Sequence, residues 1–417
     1  MRPIATSDSC STLVDLNDDH KVTIESVHLP LNAQISQLDN VYQTHLLLPS
    51  DIDEYDSLDD EDNEYRAFVS QPQKQRKESA HQYLCLPSES ASETRIPIDH
   101  HLRTIPAVVD SANMLLSSPP RELSLSTRGS TSRILNICQG EIGHASSSQC
   151  DIIVSDKSTT CHIVAVRSTI GGSSTPLASL AHIDKEGHES CLRDMIQVHK
   201  TFHADKEEEK KEADDGCQMI DMDLHIMGGF DDEDESSRAI SESLINTFSL
   251  IAQDESATIR MTLQTCAVSS MNDNGLFYPI GRGLGMDLKS GDVFLASVDE
   301  SVAGPATTLR SVRLWSGEKE KLSVVHTTKS NSITVSAFPY ETIQGTDVIL
   351  SLPDHIILQH TSTSPEVEHD GFCDDVRRTL SFMKDNKCTD IFGMNCDKPV
   401  VYTRSNGNNW VEDNSSL

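Results

Sequence analysis

The sequence is poor in aromatic residues and in positive charge and has no long apolar run, and each shortage narrows what the chain can be. Aromatics make up 5% and apolar residues 36% of its 417 residues. Both are low for a chain folded end to end, so part of it is expected to stay disordered. With 34 Lys and Arg against 65 Asp and Glu, the formal charge is −31, which argues against nucleic acid or an anionic membrane surface as a partner. No apolar stretch approaches the roughly 20 residues of a membrane span. The opening MRPIATSDSCSTLVDLNDD lacks the apolar centre of a signal peptide and is too acidic for a transit peptide. The eleven Cys are odd in number, scattered, and without a C-x-x-C pair. Neither a zinc site nor a disulfide framework is therefore expected, and a reducing cytoplasmic or nuclear compartment is the default. GRGLG at 281 to 285 lacks the Lys and the strand–helix context of a phosphate loop.

What is present is unevenly spread. Residues 1 to 66 carry fifteen Asp/Glu against three Lys/Arg, densest in DIDEYDSLDDEDNEY, and consecutive carboxylates without ordered spacing are solvated rather than metal-binding. Residues 1–103 are read as an acidic, mostly disordered extension, 104–405 as the folded domain and 406–417 as a polar tail. TIPAVVDSANMLL predicts a helix before a Pro-Pro break. RILNICQGEI, CDIIVS and CHIVAV predict strands, CLRDMIQVHKTF a helix, and MDLHIMGGF a strand ending where Gly228 and Gly229 permit positive φ or close approach. SSRAISESLINTFSLIAQ is an amphipathic helix with Ser236 or Ser237 as its cap. IRMTLQTCAVSS alternates as a strand, and GLGMDL, DVFLASV, SVRLWS, KLSVVHTT and SITVSAF are short strands beyond it. VEHDGFCDDVRRTLSFMKDN is a helix and PVVYTR a last strand. Strands outnumber helices and mostly follow one another directly. The expected class is α+β, mainly antiparallel sheet with packed helices in a sandwich-like arrangement.

In VSDKSTTCHIVAV a polar loop rich in hydroxyls runs into Cys161, which opens a β-branched apolar run. A free Cys is usually a small core residue; at a strand mouth it can also serve as a nucleophile if a base favours its thiolate. His162 is the wrong base, because neighbours on a strand point to opposite faces. His182, in LAHID beyond the Gly/Ser loop STIGGSSTP, can fold back to the thiol. Among seventeen His, that spacing alone favours a core cysteine and a surface histidine.

STTCHIVAVR followed by LAHID resembles the active-site segment of protein N-terminal asparagine amidohydrolases, which convert an N-terminal Asn side chain to Asp as a step of the N-degron pathway. ILNICQGEI with CDIIVSD, MDLHIMGGFDDE, LQTCAVSSMND, the STSP at 362 to 365 and VRRTLSFMKDN follow in the family's order. The resemblance spans about residues 131 to 404. The long acidic N-terminus, the charged residues around 206 to 215 and a longer loop between Cys161 and His182 depart from the family.

The resemblance implies an amidohydrolase without cofactor or metal, acting on proteins or peptides with a free N-terminal Asn. Cys161 would attack the side-chain carbonyl, with His182 as base and then acid. Backbone N–H groups around Thr160 and Cys161 would form the oxyanion hole. A third group would orient His182: Ser155, by analogy with bacterial glutamine deamidases, or Asp184 in H-x-D. The free α-ammonium would need a carboxylate, and Asp156 and Glu141 are the candidates. A protein-glutamine deamidase with the same Cys-His chemistry, or a silent module that captures N-terminal residues, would use the same residues.

Overall fold

The computed structural model describes residues 98–124, 132–171, 175–208, 219–233, 235–316, 321–405 and 409–413, together with strands 14–16 and 22–24. The rest of the acidic extension lies outside the described residues. In chain order the first strands are β1 Val14–Leu16, β2 Val22–Ile24, β3 Arg121–Leu123, β4 Ile134–Asn136, β5 Glu141–Ser146 and β6 Ile152–Ser155. Next come β7 His162–Ile170, β8 Leu177–Ile183, β9 Ile220–Gly228, β10 Ile259–Val268, β11 Leu284–Asp287 and β12 Val293–Val298. β13 Ser323–His326, β14 Ser332–Val335, β15 Val400–Arg404 and β16 Trp410–Glu412 complete them. The helices are α1 Ile98–Arg103, α2 Pro106–Leu116, α3 Glu189–Glu208, α4 Ser236–Asp254, α5 Thr307–Val312, α6 Thr346–Ser351, α7 Asp354–Thr361, α8 Phe372–Asp385 and α9 Cys388–Phe392.

A six-stranded sheet of order β10-β9-β7-β8-β5-β13 is the middle layer. Its inner pairs β9/β7, β7/β8 and β8/β5 are antiparallel, and parallel pairs β10/β9 and β13/β5 close its edges. The centre of the sheet reads as near-continuous apolar sequence because both of its faces are covered: every residue of β8, LASLAHI, is buried. On one face Val164, Val166, Ala181, Leu224 and Ile226 pack with Leu192, Ile196, Leu244 and Phe248 of α3 and α4. On the other, Ile163, Ala165, Leu180 and Met227 pack with Leu135, Ile153, Leu284 and Leu295 of a five-stranded sheet of order β3-β12-β11-β6-β4. The result is helices, sheet and sheet, the α+β class with mainly antiparallel pairing that the sequence predicts. Cutting a side chain such as Ile163 to Ala at this interface should cost about 2–5 kcal/mol.

A third cluster, around Phe338, Tyr340, Leu380 and Phe392, joins α5 to α9 with β14 and β15. Helix α8 buries Cys373, Val376, Thr379, Leu380 and Met383 along one side, with Asp374 and Asp375 in its first turn and Lys384 in its last, as the helix dipole favours.

Several expectations are corrected. RILNICQGEI is not one strand: β4 ends at Asn136, and a turn leads into β5 at Glu141. SVRLWS is not a strand but the end of α5 and a 3-10 turn, Arg313–Trp315, because Leu309 and Val312 recur at helical spacing and are both buried. Asp232, rather than either serine, caps α4, accepting the backbone N–H of Ser236 and Ser237 at 3.0 and 3.1 Å. One cysteine pair, Cys388 and Cys396, is joined as a disulfide, and the other described cysteines are free. Among the described residues no helix is long and apolar enough to cross a membrane, and no three His, Cys, Asp or Glu are grouped to hold a metal ion.

Candidate active site

The β7–β8 hairpin carries both predicted reactive residues. In its register Ile163 lies opposite His182, so Cys161, two residues before Ile163, takes the diagonal place on the same face. Diagonal neighbours in an antiparallel pair stand about 7–8 Å apart and are within reach of long side chains. That face looks toward the second sheet, and His182 meets Ser155 at the end of β6: its Nδ1 lies 2.7 Å from Ser155 Oγ. His162, one step along, faces the helices, its Nε2 held 2.7 Å from Ser241 Oγ of α4. Strand alternation turns His162 away from the face of Cys161, as the sequence predicts.

Hydrogen bonding settles the tautomer of His182. Ser155 Oγ also lies 2.6 Å from the carbonyl oxygen of Ile137. A carbonyl can only accept, so the Ser155 hydroxyl donates to it and must accept from His182 Nδ1–H. The other nitrogen, Nε2, then carries the lone pair, and no group among the described residues hydrogen-bonds to it although it is buried. Burial holds the His182 imidazolium pKa down to about 4, against the opposing pull of Asp184 and Glu141. Burial also pushes the Cys161 thiol well above its ordinary range, and the negative charges of Asp184 and Glu368 push the same way. The Thr160 hydroxyl and the Cys161 backbone N–H act in the opposite sense. The resting pair is therefore a neutral thiol and a neutral imidazole.

The loop before the cysteine is clamped at both ends. Ser158 N–H donates to Arg282 O at 2.7 Å, and the Cys161 carbonyl accepts from Gly229 N–H at 2.9 Å and Ser158 Oγ at 2.5 Å. Gly228 and Gly229 have φ of +136° and +66°. A Cβ on Gly228 would lie 2.3 Å from the Cys161 carbonyl oxygen, and one on Gly229 2.8 Å from the His162 ring. Both properties expected of this glycine pair are present. Between the clamps, the backbone N–H groups of Thr159 and Thr160 make no backbone hydrogen bond among the described residues, and the Cys161 N–H lies against its own thiol.

Asp156 and Glu141 face elsewhere, whereas Asp184 follows the hairpin register to a place across from Cys161 but is engaged by other groups. Asp156 is half-buried and accepts the backbone N–H of Lys157 (2.7 Å) and Val298 (2.8 Å). Glu141 is buried in an ion pair with Arg310. Asp184 accepts from Gln139 Nε2 at 3.3 Å and lies 3.8 Å from His188 Nε2. Burial alone would raise the Asp184 pKa, but these neighbours hold it below the usual carboxylate range. It is Ser155, not Asp184, that touches His182 Nδ1.

A residue that sequence reasoning missed completes the constellation. The C-terminal cluster lies on the loop before Cys161 through Thr363 Oγ1, 3.2 Å from Thr160 Oγ1, and Ser364 Oγ, 3.1 Å from Thr159 Oγ1. Glu368 stands behind them: its Oε1 accepts from Ser362 Oγ at 2.5 Å and Ser364 Oγ at 3.5 Å. Burial raises its pKa. The STSP at 362 to 365 pointed to this loop; the acid three residues beyond it, one of 65 in the chain, carried no further mark.

A family model described as Protein N-terminal asparagine amidohydrolase matches residues 125–412. The chain is 26% identical over 269 residues to the protein N-terminal asparagine amidohydrolase of Sus scrofa, covering 63% of this chain and 78% of that one. It is 24% identical over 267 residues to the protein of the same name from Homo sapiens and 26% over 267 to that from Mus musculus, with the same shares.

Proposed function

The chain belongs to the protein N-terminal asparagine amidohydrolase family, and from its geometry we propose that it deamidates N-terminal Asn with Cys161 as nucleophile and His182 as base. The observation that carries this reading is the unpartnered Nε2 of His182, on the sheet face that Cys161 shares. Nε2 takes the thiol proton as sulfur attacks the side-chain carbonyl, so the thiolate forms only when substrate is in place to receive it. The tetrahedral oxyanion is met by the backbone N–H groups of Thr159 and Thr160. Collapse breaks the C–N bond, and the imidazolium gives its proton to the departing ammonia. The thioester is then hydrolysed by a water that Nε2 deprotonates, which returns the thiol and leaves an N-terminal Asp.

Glu368 is the carboxylate for the free α-ammonium. Its Oε1 is held by two serine hydroxyls, and no protein donor among the described residues reaches Oε2. Asp156 and Glu141 each have both carboxylate oxygens engaged by the protein. A cation entering beside Glu368 supplies the charge that its burial leaves unbalanced. The test compares peptides that differ only in the first residue: free Asn, acetylated Asn and free Gln. Free Asn should gain about one dalton by mass spectrometry. Acetyl-Asn should fail for want of its ammonium, and Gln should turn over poorly because one added methylene moves the carbonyl off the sulfur, which costs on the order of 100-fold. Cys161→Ala should abolish the mass change with the fold intact. Equal rates on Asn and acetyl-Asn would favour an internal deamidase instead.

A further inference from the structure

We propose that the buried Glu141–Arg310 ion pair is a positioning device that fixes the tautomer of His182 through the 136–141 turn. The inference rests on His182 acting as the base. Arg310 and Glu141 side chains are 0% and 3% exposed. Arg310 Nε donates to Glu141 Oε1 at 2.9 Å and Nη2 to Oε2 at 2.5 Å. Each partner also grips the backbone of the turn: Arg310 Nη2 donates to Asn136 O at 2.8 Å, and Glu141 Oε2 accepts Cys138 N–H at 2.8 Å.

The consequence follows from peptide planarity. Cys138 N–H and Ile137 C=O belong to one peptide unit, in which the two groups point in opposite directions. Glu141, by holding that N–H, aims the carbonyl at Ser155, whose hydroxyl donates to it at 2.6 Å. Ser155 is thereby left only its lone pairs for His182, and the imidazole must keep its proton on Nδ1. Should the carbonyl swing away, the Ser155 hydroxyl is free to donate to Nδ1. The ring proton then moves to Nε2, and the base is gone. The same turn holds the main chain of His182 as well, since Gly140 N–H donates to the His182 carbonyl at 3.0 Å. A buried ion pair contributes little stability over apolar side chains of similar size. Here it does what apolar side chains cannot, holding a carbonyl and an N–H on either side of one residue.

The experiment measures kcat and KM with the 15N NMR spectrum of the His182 ring. It uses the wild-type chain, Glu141→Gln, and the double variant Glu141→Gln with Arg310→Gln, which leaves no buried charge unpaired. The wild type should hold its proton on Nδ1 from pH 5 to 8; a proton on Nε2 overturns the proposal without any variant. Folded variants should show a mixed tautomer and lose kcat on the order of 10- to 100-fold at unchanged KM. Wild-type kcat with Nδ1–H retained in a folded variant reduces the pair to a structural role. Turnover that survives His182→Ala removes the base itself, whereas turnover lost there but kept in the pair variants removes the pair alone.

Discussion

His199 and His182, on opposite faces of the central sheet, are in opposite conditions. On the helix face His199 spends both ring nitrogens on serines: Nδ1 on Ser168 Oγ at 2.6 Å and Nε2 on Ser179 Oγ at 2.8 Å. The same serines reach His203 and His144, so a chain of alternating imidazoles and hydroxyls runs between the sheet and α3. On the inter-sheet face His182 meets one serine and keeps Nε2 open. Both sets are buried, neutral and serine-bound. His162 shares the pattern of His182, with Nε2 on Ser241 and Nδ1 without a hydrogen-bond partner among the described residues; what sets His182 apart in the proposed mechanism is that its open nitrogen is on the face that Cys161 shares. A buried polar atom without a partner costs stability, and in the proposed mechanism the thiol proton is what satisfies it.

The widest difference between the faces should appear when each loses its histidine next to the cysteine. His182→Ala should lower kcat by about 100- to 10,000-fold, the range of a general base, with KM little changed. His162→Asn removes the bond to Ser241 and should cost roughly 1–3 kcal/mol of stability while turnover continues. Steady-state kinetics and urea denaturation on the same two proteins decide it. The reverse pattern would put the catalytic base on the helix face.

That contrast was partly legible in the sequence. Alternation alone put His162 on the face away from Cys161, because neighbours on a strand point to opposite sides, whereas His182 was tied to the thiol only by a loop able to fold back. Cys161 and His182 come together through a local hairpin, and local pairings are what a sequence reveals best. Arg310 lies 169 residues from Glu141, so Glu141 looked like a spare carboxylate available for a ligand. Glu368 reaches the site only because the C-terminal cluster folds back over the loop, and nothing in VEHDGF announces that contact. SVRLWS was misread because, cut from the preceding TTL, its β-branched and aromatic residues suggest a strand, whereas over the whole segment Leu309 and Val312 recur at helical spacing and are buried.

A smaller effect should come from Ser155→Ala, which leaves both reacting groups in place and frees the imidazole. The Ile137 carbonyl loses its donor, for about 1–3 kcal/mol, and His182 can then carry its proton on either nitrogen. kcat should fall about 10- to 100-fold with KM within twofold, since only the fraction with Nε2 unprotonated can accept the thiol proton. Ser155→Thr, which restores the hydroxyl, should recover part of the loss where the added methyl is tolerated. Unchanged kcat in folded Ser155→Ala would show that the serine does not select the tautomer.

The smallest effect is one on which the two faces should agree. Burial lowers the pKa of His144, His182 and His326 to about 4 and of His162 to about 3. It also lowers those of His199 and His203. In the unfolded chain each titrates near the ordinary histidine value of about 6.5. As pH falls below that value, the unfolded state binds protons that the folded state refuses, so stability drops through the window from about 6.5 to 4 and is insensitive to these groups above it. Each contributes about 1.4 kcal/mol per pH unit inside the window, and several together exhaust the roughly 5–15 kcal/mol of an ordinary domain. Glu368 and Asp156, with raised pKa values, have the opposite sign but are fewer than the histidines. Urea denaturation at pH 8, 6 and 5 should therefore give a steep loss of stability between the last two. His144→Asn and His182→Asn should each flatten that slope by about one proton, the first with activity intact and the second without it. A slope that His182→Asn leaves unchanged would mean that the folded protein binds this proton as readily as the unfolded chain does, and that burial does not hold His182 neutral.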